Sequence, residues 1–375
     1  MGIRVWLLLL LLCGAAWAQT AAQDAVTLQA QGRLAEAAEA WRKVVAGSPR
    51  DAGAYASLGV VESRLKQYPE AIASYRKALA IDPKLPGIQL NLGLAEFKLQ
   101  HLDAAIGPLR AALTEAPGNM QARVLLGLCY YGTKQFKDAA HTLEPAVGAD
   151  PHNLGLLQIY AQACLAAGLY TPAFETFQEI LRENPDSVAA HLLLAQALDG
   201  LNRDEDAMKE LKAVIRESPG EPSAHFSLGF LYWKAKRYDE AEAEFRQELK
   251  YDPANALALA YLGDVEMKKG DEAAARRDLA AAQHLSGSVR VASLDLGILD
   301  TKAKNYSAAI ANLDRAAKLD PTQADAFYRL AGIYKELGKQ REAEKNLAIV
   351  RGLHRKGNED LLHRISGAAP MPAVQ

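Results

Sequence analysis

Prolines stand at an interval of 34 residues along this chain, with one position skipped. A proline ring blocks continuation of a helix and disfavours helical geometry in the preceding residue, so each proline marks the end of a helix. The skipped position is Gly287, and glycine also ends helices because it readily adopts the left-handed conformation. A fixed period of this length indicates one structural unit, repeated and stacked. The prolines are Pro49, Pro83, Pro117, Pro151, Pro185, Pro219, Pro253 and Pro321.

Two columns of small residues keep the same register. One is all alanine, and twelve residues before each alanine lies another alanine or a glycine. Glycine inside a helix costs about 1 kcal/mol relative to alanine, so we expect two helices to approach closely there, where a side chain would push them apart. The first column is Ala37, Ala71, Ala105, Ala139, Ala173, Ala207, Ala241, Ala275, Ala309 and Ala343; the second is Ala25, Gly59, Gly93, Gly127, Ala161, Ala195, Gly229, Gly263, Gly297 and Ala331.

Each unit contains two stretches with helical periodicity. In the second unit, "AYASLGVVESRL" has apolar residues at helical spacing, "KQYPEA" interrupts the pattern and "EAIASYRKALAI" resumes it. Bulky residues fill the positions that complement the small columns: Leu58 before the glycine, Tyr68 in the turn and Tyr75 four residues after the alanine. The pattern predicts a pair of antiparallel helices in every unit.

These units resemble the tetratricopeptide repeat family, in segments such as "AYASLGVVESRLKQYPEAIASYRKALAIDP" (54–83) and "AHFSLGFLYWKAKRYDEAEAEFRQELKYDP" (224–253). Ten matching units cover residues 18–357. The resemblance implies an all-α fold, a right-handed superhelical solenoid of about ten 34-residue helix-turn-helix repeats in one continuous domain. We expect 358–366 to form a separate C-terminal capping helix, with Asn358 as its cap, and 367–375 to be a disordered tail.

The first residues, "MGIRVWLLLLLLCGAAWAQT", have the pattern of an export signal. Arg4 supplies the positive start, an apolar core follows, and Ala16-Trp17-Ala18 gives the small-x-small pattern of a cleavage site. The apolar stretch of 14 residues is shorter than the roughly 20 that a spanning helix needs. We therefore predict a signal peptide over 1–18, a periplasmic or extracellular protein and no membrane span after cleavage. An uncleaved anchor is the alternative.

Charge and motifs argue against several classes of function. The net charge is −2 with both signs spread along the chain, which is not typical of a nucleic-acid-binding surface. No phosphate-binding glycine loop, nucleophile elbow or HExxH motif occurs in the sequence. We therefore expect a protein that is not an enzyme, with no catalytic residues and no cofactor.

We interpret two histidines, and the two cysteines that lie outside the predicted signal peptide, as structural residues. Cys129 and Cys164 fall on neighbouring first helices, whose axes lie about 8–10 Å apart, so free thiols are expected rather than a disulfide. His191 and His225 share a column with the bulky apolar residues Tyr55, Leu157, Leu259 and Phe327. Packing is therefore preferred to a metal site.

The resemblance also implies which residues face a partner. Counting each unit from residue 18 onward, positions five, nine and twelve line the groove that usually holds an extended or helical peptide in this family, and helical spacing puts them on one face. The predicted groove residues are Leu90, Leu94, Phe97, Val124, Leu128, Tyr131, Phe226, Phe230 and Trp233, with Tyr261 beside them.

The first helix of the seventh unit, "HFSLGFLYW" (225–233), is apolar almost all round. Its three groove aromatics bury about 150–250 Å² each, which approaches the area that soluble monomers rarely leave exposed. We therefore expect a non-catalytic protein–protein interaction scaffold of the cell envelope that binds a partner's peptide segment in the concave groove, in a setting such as assembly or secretion. The alternatives are a structural subunit that self-associates through the same aromatic patch, and cover by the neighbouring turn of the solenoid itself. The oligomeric state stays open.

Overall fold

The computed structural model describes the backbone of residues 20–366 and the side chains of residues 20–356. The predicted signal peptide, 1–18, and tail, 367–375, lie outside the described residues. The chain divides into two compact units, one ending at Leu201 and one beginning at Asn202. The prediction of one continuous solenoid over 18–357 stays a prediction. Among residues 20–366, no helix combines the length and apolar character that crossing a bilayer requires.

All regular structure between residues 20 and 366 is helical. In the first unit the helices are α1 (residues 20–30), α2 (Leu34–Gly47), α3 (Ala52–Arg64), α4 (Tyr68–Ile81), α5 (Ile88–Lys98), α6 (Leu102–Glu115), α7 (Met120–Gly132), α8 (Phe136–Ala149), α9 (Leu154–Ala166), α10 (Tyr170–Glu183) and α11 (Val188–Gly200). In the second unit they are α12 (Asp204–Glu217), α13 (Ala224–Lys234), α14 (Tyr238–Tyr251), α15 (Ala256–Lys269), α16 (Glu272–Leu285), α17 (Arg290–Lys302), α18 (Tyr306–Leu319), α19 (Asp325–Glu336) and α20 (Gln340–Ser366).

Odd-numbered helices are the first helices of the repeats and even-numbered helices are the second. Within each unit, from α2 onward, every helix packs against the next, and first helices of neighbouring repeats also contact one another. This confirms the predicted all-α fold of stacked helix pairs.

Side-chain caps begin many of the first helices just after a proline. Two residues after Pro117, Asn119 accepts a hydrogen bond at 3.0 Å from the amide of Ala122. Asn255, two residues after Pro253, caps α15 in the same way at 3.0 Å. Such a cap satisfies one of the four amides that a helix start leaves without a partner. The proline that ends one repeat is therefore followed directly by the residue that caps the first helix of the next repeat.

A left-handed residue makes the turn inside every repeat. The residue at position fifteen of each repeat has a positive φ, and in six repeats this residue is not glycine. In the second repeat, α4 begins at Tyr68, so the prediction of Tyr68 as a turn residue was wrong. Pro69 lies in the first turn of α4, where its missing amide proton costs nothing. The left-handed residues are Gly32, Lys66, Gln100, Lys134, Gly168, Asn202, Lys236, Gly270, Lys304 and Gly338.

The close approach predicted at the small-residue columns is confirmed. The ten column alanines are fully buried. A Cβ added at any of the six glycines would lie 2.8 Å or less from the side chain sixteen residues later. Gly93 meets Leu109 in this way, and Gly59 meets Tyr75. In these six repeats the first and second helices therefore touch through a glycine and one large residue.

A second column, which was not predicted, connects neighbouring repeats. Buried Glu96 accepts a hydrogen bond at 2.6 Å from Arg76, twenty residues earlier on the preceding second helix. Arg42 reaches Glu62 in the same way at 3.2 Å, and in a later repeat Lys212 lies over the ring of Tyr232. The 34-residue spacing of Glu62 and Glu96 was the available signal.

The last helix differs from the prediction. Residues 358–366 do not form a separate capping helix, because α20 runs without a break from Gln340 to Ser366. In that repeat the position that holds proline elsewhere is Arg355, so the stop signal is absent and the helix continues.

Cys129 and Cys164 are free and buried, as predicted. Burial raises the pKa of each thiol to about 11. Because the thiolate is the reactive form, both thiols should be inert in the folded protein.

We predict that neither thiol is alkylated by iodoacetamide near pH 8 in the native state, and that both are alkylated once urea exposes them. Peptide mapping by mass spectrometry distinguishes these two sites from Cys13. Native alkylation of Cys129 or Cys164 would contradict the burial described here.

We predict that Gly93→Ala destabilises the protein by about 1–3 kcal/mol, because the added methyl overpacks against Leu109. The control is Gly332→Ala in the interior of α19, where the following residue is not proline. A Cβ there meets nothing within 4 Å, so the better helix propensity of alanine should stabilise by up to about 1 kcal/mol. Urea unfolding followed by circular dichroism measures both. Equal effects of the two substitutions would refute the close-contact explanation.

Candidate partner-binding site

The predicted groove residues of the first unit lie on two first helices. Leu90, Leu94 and Phe97 are on α5, and Val124, Leu128 and Tyr131 are on α7; all six are half-buried. The Tyr131 hydroxyl donates to Gln162 Oε1 at 3.0 Å. Tyr131 and Gln162 line a cavity of about 500 Å³. Its other lining residues are Leu165, Ala166, Tyr170, Leu193 and Gln196.

The predicted residues of the second unit form a tight group. Phe226, Phe230 and Trp233 lie along α13, and Tyr261 of α15 lies against all three, with ring centroids 6.0, 5.3 and 5.0 Å away. We call these four residues the aromatic cluster. Fully buried Phe245 of α14 lies behind it, 5.9 Å from Phe226. The neighbouring repeat thus covers part of the aromatic surface, and all four side chains remain half-buried.

A cavity of about 620 Å³ opens beside the aromatic cluster. Trp233 and Tyr261 form part of its wall, and the other lining residues come from α15, the start of α16, α17 and α19. The cavity therefore lies mainly on the face made by first helices. Its remaining lining residues are Asp264, Met267, Lys268, Glu272, Arg290, Val291, Leu294, Asp295, Ile298, Leu299, Lys302, Asp325 and Arg329.

Two buried acids lie in this cavity on neighbouring first helices. Asp264 is 4% exposed and Asp295 is 3% exposed. Asp264 accepts hydrogen bonds from Trp233 Nε1 at 2.5 Å and from Lys268 Nζ at 2.7 Å. Burial, and then the charge and hydrogen bond of Asp264, raises the pKa of Asp295 to about 8. Asp295 therefore keeps its proton at neutral pH.

The cations around the cavity are mostly paired with acids. Besides Lys268 with Asp264, Lys302 pairs with Glu272 and Arg290 pairs with Asp325. Arg329 is exposed on α19. Two buried atoms that line this region have no hydrogen-bond partner among the described residues, Asp295 Oδ2 and Arg290 Nε. Such atoms are rare in native proteins and call for an explanation.

Tyr261 was predicted to lie at this site, whereas Asp295 and Arg329 were not. The three residues are 34 apart, at position six of successive repeats. The groove rule taken from the family resemblance covers positions five, nine and twelve only. The available signal was the change at position six from an aromatic residue in the eighth repeat to charged residues in the ninth and tenth repeats.

His191 and His225, which share one column, each contact the backbone of the proline that ends the preceding repeat. The Nε2 atoms of His191 and His225 lie 2.8 and 3.1 Å from the carbonyl oxygens of Pro185 and Pro219, each six residues earlier. His225 is also 2.6 Å from Glu244. No group of three or more potential metal ligands occurs in the part of the chain that the structure describes.

Comparison with protein families gives matches along much of the chain. Tetratricopeptide repeat models match residues 62–100, 165–229, 226–288 and 299–338. A model described as anaphase-promoting complex, cyclosome, subunit 3, matches residues 98–180. Together with the helix pairs described above, these matches show that the chain belongs to the tetratricopeptide repeat family. Proteins of this family typically mediate protein–protein interactions, and no catalytic family is indicated.

Several solved structures are similar to this chain. MamA is 19% identical over 44% of this chain and 97% of its own, with a TM-score of 0.39. YrrB, described as a TPR protein with an unusual peptide-binding site, is 22% identical over 48% of this chain and 93% of its own, with a TM-score of 0.39. A chain of Naa15/Naa10 bound to HypK-THB is 18% identical over 90% of this chain and 59% of its own, with a TM-score of 0.43. Comparison with curated protein sequences gave no significant match.

We predict that Asp295→Asn stabilises the protein near neutral pH. The pKa of Asp295 is raised to about 8 in the folded state, against about 4 when unfolded. Between these values the unfolded state releases the proton and the folded state retains it, so wild-type stability falls as the pH rises. Asparagine removes this dependence.

The expected gain is about 1–3 kcal/mol near pH 7.5, shrinking towards zero near pH 4. Urea unfolding at both pH values measures it, and exposed Asp186, replaced by asparagine, is the control. A gain that is the same at both pH values would contradict the assignment of a retained proton to Asp295.

Proposed function

We propose that this protein is a non-catalytic scaffold of the cell envelope that binds an extended segment of another protein on its first-helix face. The aromatic cluster is the main anchor, and the partner supplies apolar or aromatic side chains to it. An assembly or secretion machine is the setting we favour. The envelope location rests on the export pattern of residues 1–18.

The observation that carries the proposal is the half-buried state of the aromatic cluster. Four large rings pack on one another and on Phe245, yet each keeps part of its surface exposed. Binding energy at protein interfaces concentrates on large aromatic anchors beside a recess. The adjoining cavity of about 620 Å³ falls within the usual size range of ligand pockets and has room for a side chain of the bound segment.

The groove residues of the first unit extend the proposal to a second contact region. Leu90, Leu94, Phe97, Val124 and Leu128 are half-buried and apolar. Tyr131 and Gln162 add polar groups next to a cavity, and side-chain amides can bond the backbone of an extended segment.

The test is a selection of randomised phage-displayed peptides on the purified full chain, followed by fluorescence anisotropy with the enriched peptides. We predict that Trp233→Ala raises their Kd at least about tenfold, because it removes the ring that joins the aromatic cluster to the cavity. The control is Tyr251→Ala, which removes an aromatic of the second helix α14 that is 56% exposed and outside the aromatic cluster. Circular dichroism checks that both variants remain folded.

Two results would overturn the proposal. One is the absence of any enriched peptide that depends on Trp233. The other is a stable dimer of the wild-type protein, seen by light scattering, that Trp233→Ala converts to a monomer, since this would assign the aromatic cluster to self-association.

A further inference from the structure

We propose that the cavity beside the aromatic cluster receives a basic side chain, lysine or arginine, of the bound segment. The cation would lie between the rings of Trp233 and Tyr261 and the acid pair Asp264–Asp295. This inference rests on the proposed function and specifies what the partner must present.

The acid pair favours a cationic occupant. Asp264 already has donors for both carboxylate oxygens, Trp233 Nε1 and Lys268 Nζ, whereas the buried Oδ2 atom of Asp295 has no partner among the described residues. A cation arriving next to the pair would allow Asp295 to ionise and would supply the missing donor. The buried acids thus form a site that is completed by a positive charge from outside.

The aromatic wall points to the same occupant. Trp233 and Tyr261 line the cavity with their centroids 5.0 Å apart and their planes at 76°. The faces of aromatic rings attract cations, most strongly where water is excluded. An anion here would meet the negative faces of the rings as well as the charge of the acid pair.

The cations of the cavity do not reverse this preference. Lys268 of α15 is bound to Asp264. On α17, Lys302 is bound to Glu272 of α16 and Arg290 to Asp325 of α19. Arg329 of α19 is exposed. The paired cations offer little net charge to an anion. Lys268 and Arg329 both act to lower the pKa of Asp295, but burial and the charge of Asp264 outweigh them, and neither cation forms an ion pair with Asp295 among the described residues.

A peptide satisfies the cavity better than a free amine does. Arg290 Nε is also buried without an acceptor among the described residues. A segment that places its basic side chain at the acid pair also brings backbone carbonyl oxygens, which can accept a hydrogen bond from Arg290 Nε.

The experiment uses an enriched peptide from the selection described above that contains lysine, and a synthetic copy with norleucine in place of that lysine. We expect norleucine to weaken binding to the wild-type protein at least about tenfold near pH 8.5. On Asp295→Asn the same replacement should change Kd less than about twofold, while Asp186→Asn behaves like the wild type.

The pH profile gives a second readout. Binding of the lysine peptide should tighten between about pH 6 and pH 8.5, because the retained proton of Asp295 must leave when the cation arrives. Lysine itself stays charged over this range. The norleucine peptide should show no such trend.

Failure of this inference can be distinguished from failure of the proposed function. If the lysine and norleucine peptides bind the wild-type protein equally, and both require Trp233, the cation site is wrong and the peptide-binding surface stands. If enriched peptides are acidic and lose binding on Arg329→Gln, the site prefers anions and the inference is overturned. If no enriched peptide depends on Trp233, both proposals fail.

Discussion

In six of these repeats, the contact between a glycine on the first helix and a large side chain on the second determines how the two helices pack. At Gly93 the two helices come so close that a single methyl group would collide with Leu109. Packing at this density leaves little freedom in the angle or separation of the two helices. The column alanines, all fully buried, hold the second helix to the same distance. Positions on the outer faces are thereby fixed relative to each other within a repeat.

Contacts between neighbouring repeats fix the position of each repeat relative to the next within each of the two compact units. Buried Glu62 and Glu96 receive arginines from the preceding second helix, while the face of first helices is left for other uses. In the second unit that face departs from the repeating pattern. There the aromatic cluster lies beside two buried acids, and a local departure from apolar packing of this kind is typical of functional sites.

Much of the fold could be predicted from the sequence, because a column that recurs every 34 residues reports the same contact many times. The glycine contacts and the helix pairs were accessible in this way, whereas the free thiols were predicted from the distance between neighbouring helix axes. The continuous helix α20 was not predicted, because a plausible cap at Asn358 was given more weight than the loss of proline at Arg355. Tyr68 was misplaced because Pro69 was interpreted as a break, although proline is well tolerated in a first helical turn. The site was found in part: the aromatic cluster follows from position, whereas the pairing of Asp264 with Asp295 depends on the distance between two separate helices, which no spacing in the sequence specifies.

The turn inside each repeat affects how the sequence of such a protein can diverge. In six repeats the left-handed turn residue is lysine, glutamine or asparagine, and each of these is exposed. A side chain in that conformation costs roughly 1–2 kcal/mol, so the chain forgoes stability that glycine would provide. None of these residues lines the cavity beside the aromatic cluster. Because the stability of a repeat array is approximately a sum over its repeats, turn substitutions can raise or lower the tolerance of the whole array to mutation. The recognition surface can then diversify while the turns compensate for any loss of folding free energy.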